Sequence, residues 1–286
     1  MSGNGTTRAD IAAAVVASMK RFAMLPEVTL RIIEVVRDQR RTIRELARIV
    51  STDPALCMRI LRVVNSAFYG LPRSIASIER AIMMLGAEGV MSIAIAASFG
   101  RLIRSGAFAR ELWQHSLAVA CATKSLAEVA RLANSSEMFL CGLVHDIGFL
   151  VELRHDPAAF AAVAHERARS GRSLGAIEEE TLGANHADFG RELCDQWQLP
   201  PWIGEVVGAL DAPLELEGPS RIAACTVNVA DALAAAAGFA FLPVPDERAA
   251  PDPAVVAELG IAGRDVDAIA AAIPELTAEL CAALAA

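Results

Sequence analysis

Apolar residues recur at i, i+3, i+4 and i+7 through nearly every patterned stretch of the chain, and no run of alternating β-branched residues lies between turn signals. Such a chain can bury its apolar faces only by packing helix on helix, so the expected fold is all-α, a multi-helix bundle. Thr42, with Glu45 three residues on, starts a helix over 43–50. Asp53-Pro54 supplies an N-cap and a first-turn proline for the next, which carries Leu56, Ile60, Val63 and Val64 and should stop near Gly70. Ser77 opens a helix that Gly86 stops, and 88–102 forms a longer apolar one. Further helices are expected over about 109–133, 135–148 with Gly148 in a left-handed C-cap, 160–170, 173–182, 186–197 capped by Asn185, 202–210, 221–237, 255–259 and 265–285.

With 54% hydrophobic residues and a mean hydropathy of +0.40, the chain is no disordered segment, and the question of a membrane arises. Of its longest apolar stretches, 89–100 is too short to span, and 222–244 carries Asn228 and Asp231 near its middle. A buried helix with a polar side is the expectation for the latter, and no membrane partner. Residues 1–12 lack the pattern of a signal peptide, so a cytoplasmic location is expected. Six cysteines without a CxxC pair suit neither a disulfide framework nor a zinc ribbon; they read as reduced core residues. Residues 1–110 hold 16 basic and 8 acidic side chains, residues 111–286 hold 10 and 26, which suggests two units with different surfaces.

Only five histidines occur, and their placement carries the chemistry. His145-Asp146 stand side by side at an expected helix end. Adjacent helical residues point about 100° apart, so this pair can close on one ion only with ligands from other helices. His115, in the middle of an apolar helix, and Asp231, in an otherwise apolar one, are the candidates, both on faces expected to be buried. An imidazole-and-carboxylate set suits a divalent metal such as Fe, Mn or Zn. The same polar residues can also satisfy one another as a metal-free buried cluster. His186, at a helix start, is a further candidate nearby, whereas His155 and His165 read as surface residues.

The set His115, His145-Asp146 and Asp231, in Trp113-Gln114-His115-Ser116 and Gly142-Leu143-Val144-His145-Asp146-Ile147-Gly148, resembles the HD superfamily of metal-dependent phosphohydrolases. More specifically the chain resembles the HDOD family, the HD-related output domains of bacterial signalling proteins. That likeness rests on Asp53-Pro54-Ala55-Leu56, on 59–70 (Arg59-Ile60-Leu61 through Phe68-Tyr69-Gly70), on Leu85-Gly86 and on His186-Ala187-Asp188-Phe189-Gly190. It extends over roughly 22–235. It implies an N-terminal segment (1–21), an N-terminal helical subdomain (22–108) packed on a degenerate HD-like core (109–237), and a loop and helical extension (238–286). Catalytic relatives that hydrolyse cyclic di-GMP have a lysine where Phe149 stands, a His-His pair near Leu210-Asp211, and a Gly-Tyr-Pro motif; all three are missing.

The resemblance therefore implies a bacterial regulatory protein that acts by binding a signalling protein partner or a ligand, such as a nucleotide or cyclic dinucleotide, without catalysis. The alternative is a metal-dependent phosphohydrolase acting on a nucleotide or cyclic dinucleotide. Two short helices over 43–64, with Arg37, Arg40, Arg41, Arg44, Arg48, Arg59 and Arg62, also invite a helix-turn-helix reading. The inward-facing Leu56, Ile60, Val63 and Val64 argue for a packed bundle instead, so nucleic acid is not the expected partner. Asn65 through Gly70 reads as helix termination, and Trp113 and Trp197 as core.

Overall fold

The computed structural model describes residues 6–19, 25–38, 40, 42–102, 107–132, 135–242 and 250–284. Among them no strand occurs. The chain runs through α1 (Arg8–Ser18), α2 (Glu27–Arg37), α3 (Ile43–Val50), α4 (Pro54–Val64) and α5 (Ile78–Leu102). The expected starts are in place: the Thr42 side chain accepts from the Glu45 N–H, and Asp53 accepts from the Leu56 N–H. At Gly86 (φ 74°, ψ 170°) the backbone kinks, which joins the two expected helices into α5. The stretch beyond the kink is buried on almost every side from Gly89 to Phe99, because α2, α3 and α4 cover one side and a later helix the other.

That later helix belongs to a second set: α6 (Ala107–Val129), α7 (Ser135–Val144), α8 (Gly148–His155), α9 (Pro157–Ser170), α10 (Leu174–Leu182), α11 (His186–Gln196), α12 (Pro201–Val207), α13 (Gly218–Ala234), α14 (Pro253–Glu258) and α15 (Gly263–Leu284). Helix α6 is the hub, in contact with α7, α13 and α15, and α7 bridges it to α5. The C-terminal helix α15 also packs on α4, where the buried Arg59 donates from Nε to the Leu284 carbonyl. Helix α4 thus lies inside the bundle on its apolar face. Arg40, Arg44, Arg48 and Arg62 are exposed, and Arg41 lies outside the described residues. Two helices, 78–102 and 218–239, are long and apolar enough to cross a membrane by length and composition, but 72% and 50% of their apolar windows are buried inside the bundle.

The structure departs from expectation in four places. The helix expected over 135–148 ends at Val144, and His145, Asp146 and Ile147 form a turn before α8 begins at Gly148. Gly148 is no left-handed cap: a Cβ there would stand 1.8 Å from the His186 carbonyl oxygen, so glycine is required by the close crossing of α8 and α11. Helix α1, unforeseen in an Ala-rich segment of weak amphipathicity, starts in a Thr7–Asp10 capping box and buries Ala12 and Val16, packing on α11 and α8. Finally α13 stops at Ala234 and widens into a π-turn, Ala235–Phe239, with Gly238 at φ 91°.

Candidate metal centre

His115 projects from the middle of α6 and His145 from the turn after α7, and both are nearly inaccessible to solvent. Each imidazole is anchored through Nδ1: His115 donates to the Phe239 carbonyl at 2.8 Å, His145 to the Gly142 carbonyl at 2.8 Å. The π-turn is what delivers Phe239 to α6. Committing both Nδ1–H groups to carbonyls turns both Nε2 lone pairs inward, where they meet at 3.1 Å. Asp146 Oδ2 stands 3.3 Å from each of them. Asp231 Oδ1, from α13, stands 3.4 Å from His115 Nε2 and 3.9 Å from His145 Nε2.

The structure therefore brings His115, His145 and Asp146 into one group with their ligand atoms within 4.8 Å of one another, while Asp231 approaches the two imidazoles from α13 and lies outside that group. A metal held at about 2.0–2.1 Å by nitrogen and oxygen spaces its donors about 3.0–3.4 Å apart, which is the spacing of three of the four imidazole–carboxylate pairs and of the imidazole pair. The donor set fits a divalent ion. One expectation fails: Asp231 is not buried, its side chain being 47% exposed. It opens the centre onto a cavity of about 880 Å³.

Electrostatics bind the group together. Burial works against a charged His115, but the hydrogen bond to Asp146, the Asp231 and Asp146 carboxylates and the Phe239 carbonyl overcome it and raise its pKa to about 9. Burial would likewise raise Asp146, yet the two imidazoles hold its carboxyl well below the usual range. Before any metal arrives, a proton on His115 is what reconciles these groups.

His186 lines the same cavity but stands apart from this group. Its Nδ1 is spent on Glu178, at 2.7 Å from Oε2, and its backbone N–H donates to the same carboxylate. Phe149 stacks on its ring with centroids 4.3 Å apart and planes 18° from parallel. Burial opposes its charge; the field and hydrogen bond of Glu178, with Asp146 and Glu152 behind, raise its pKa to about 10. Glu178 could not be picked out from sequence, since it sits in the run Glu178-Glu179-Glu180, which looks like a solvated face, yet it is fully buried. Glu152 was missed as well: it is buried on α8, and neither carboxylate oxygen has a hydrogen-bond partner among the described residues. His155 and His165 are exposed, as expected. The six cysteines are free thiols, four buried and two partly so.

The sequence profile of the HDOD domain matches residues 22–213, two thirds of the chain. This chain belongs to the HDOD family. The profile spans His115, His145 and Asp146 and ends before α13, so Asp231 is contributed from beyond it, and the match is shorter than the expected 22–235. The HDOD fold is also that of solved structures. The chain is similar to an HDOD domain protein of unknown function from Geobacter sulfurreducens, at 24% identity over 94% of this chain and 98% of that one, with a TM-score of 0.74. It is similar as well to a protein of Shewanella amazonensis SB2B named as a candidate phosphohydrolase, at 23% identity, 95% and 98% coverage and a TM-score of 0.72. An uncharacterised protein of Treponema pallidum (strain Nichols) is 23% identical over 197 residues, 68% of this chain, and the chain spans 38% of that relative's length.

Proposed function

We propose that this HDOD protein is a signal-transduction protein whose HD-like core holds one divalent ion, Fe, Mn or Zn, and responds to a small ligand bound above it. His115, His145, Asp146 and Asp231 hold the ion, and a bound ligand alters the surface offered to a protein partner. The observation that carries this reading is the pair of Nδ1-anchored imidazoles whose Nε2 atoms face each other and two carboxylates within 3.1–3.9 Å. When bound, the ion supplies Lewis-acid attraction for an anionic oxygen. The protein's own groups do the rest. The carbonyls of Gly142 and Phe239 fix the imidazole orientations, and Asp231 links the centre to the cavity.

A second reading, hydrolysis of a phosphoester, is favoured by the His186 imidazolium beside the same cavity, a group able to hold and release a proton. Against it stand Phe149 in place of the lysine of catalytic relatives and a single metal-ligand group among the described residues, where two-metal displacement needs two. Elemental mass spectrometry on chain purified without chelator tests the proposal. The expected result is about one ion per chain, lost in His145→Ala. Metal in neither protein overturns it, and phosphodiester turnover abolished by His145→Ala moves the conclusion to the enzyme.

A further inference from the structure

The cavity above the metal centre has features that the ion does not use. At about 880 Å³ it is several times larger than an inorganic anion and falls in the range of organic-ligand sites. Its lining includes the apolar side chains of Leu174, Leu210, Leu214, Phe241 and Leu242. At its base His186 is fixed as a donor. Glu178 engages both its Nδ1–H and its backbone N–H, the Phe149 ring covers one face, and no hydrogen bond to a described residue uses Nε2. A buried carboxylate, fully inaccessible, that orients an imidazole whose far nitrogen faces a cavity makes a directed N–H donor.

The charges around the cavity decide what that donor receives. A divalent ion is balanced by Asp146 and Asp231, and Glu178 balances His186. Arg167, its Nη1 on the carbonyls of Gly171 and Arg172, adds one positive charge to the lining, while the exposed Asp211, Glu215 and Asp252 add three negative ones. The sum is negative even with the ion counted, so a ligand carrying several negative charges is repelled, and a single anionic oxygen is held by the His186 donor rather than by net attraction.

We propose that the cavity takes a singly charged oxyanion with an apolar body, a carboxylate or a phosphodiester, whose oxygen accepts from His186 Nε2–H while its body lies against Phe241. The proposal rests on the metal reading above for the charge balance, but its donor and its apolar lining are this chain's own residues. Polyphosphates and doubly charged monoesters are excluded by the same arithmetic.

Isothermal titration of the full chain tests it, with and without stoichiometric Mn²⁺, using four probes: 4-phenylbutyrate, ethyl phenyl phosphate, phenyl phosphate and acetate. In the Mn²⁺-loaded protein, phenylbutyrate or ethyl phenyl phosphate should bind at least tenfold more tightly than both acetate and phenyl phosphate. The member of the pair that binds identifies the oxyanion. His186→Gln should weaken that probe about tenfold or more, with its melting curve and Mn²⁺ content retained. Phe241→Ala should erase the preference over acetate and carries the test should His186→Gln fail to fold. Tighter binding of phenyl phosphate, equal affinity for acetate, or indifference to both substitutions overturns the inference. Metal stoichiometry on the same samples separates the two ideas. Absence of metal defeats the proposed function, whereas the His186 site stands or falls on whether His186→Gln and Phe241→Ala change the probe ranking in the titrations with and without Mn²⁺.

Discussion

Gly148→Ala is the sharpest test of how the HD-like core is assembled. The added Cβ would stand 1.8 Å from the carbonyl oxygen of His186, 2.6 Å from its carbonyl carbon and 2.9 Å from the Gly190 nitrogen, all of them backbone atoms with no rotamer to yield. Reaching even the 3.0 Å that real Cβ contacts respect means parting α8 from α11 by at least 1.2 Å, the difference between those two distances. Overpacking of this kind costs about 3 kcal/mol at the upper end of the usual range. With an unfolding entropy of about 2.1 cal/mol/K per residue, a chain this long loses about 5 °C in Tm for that cost. Differential scanning calorimetry reads the shift. Gly171→Ala is the comparison: it has open space around it but φ 66°, so left-handed strain alone applies, about 1 kcal/mol and about 2 °C. A Gly148→Ala protein that melts no lower than Gly171→Ala refutes the close crossing, and with it the placing of His186 at the cavity base.

Two further outcomes follow from the buried charges. Among the described residues Glu152 has no hydrogen-bond partner for either oxygen, and burial first, then the neighbouring Glu178, raises its carboxyl well above the ordinary value of 4.5; the folded state holds this proton more tightly than the unfolded one, so stability is lost as pH rises above 4.5, and Glu152→Gln should stabilise in urea titrations, more at pH 8 than at pH 5. His115 keeps its proton up to about pH 9 in the metal-free fold, so metal uptake at pH 7 should release about one proton, measured by calorimetry in buffers of different ionisation enthalpy, and apparent affinity should rise about tenfold per pH unit from 7 to 9; a flat profile would show that the ion does not displace this proton.

The fold class was legible because a helical repeat of apolar residues has only one economical burial, and caps such as Thr42 and Asp53 write their hydrogen bonds locally. The polar cluster was legible for a different reason: a histidine in an apolar helix is costly unless it meets a partner, and His115 announced itself by that cost, whereas Asp231 was singled out for a burial that the structure does not show. What stayed hidden depends on tertiary proximity. Gly148 looked like a cap because a glycine after a helix usually is one, and only the crossing of α8 and α11 gives it its role. Glu178 had the neighbours of a surface residue. The π-turn at 235–239 has no pattern beyond small residues, yet it sets the tautomer of His115 through Phe239.

That tautomer is the strongest argument that the cluster is more than inherited polarity. With each Nδ1–H tied to a carbonyl, and without the proton that His115 holds, the two Nε2 atoms and the Asp146 carboxylate are acceptors facing one another, with the half-exposed Asp231 carboxylate beside them. A proton on one imidazole satisfies the 3.1 Å nitrogen pair and leaves the remaining lone pairs opposed. One divalent ion answers all four at once. If no cation beyond a proton were ever needed, apolar residues of similar volume at 115 and 145 would hold α6 to α7 at least as well, because buried charged clusters rarely outperform good packing. On the proposed function, two imidazoles each fixed by its own carbonyl leave both inward nitrogens free to take the ion.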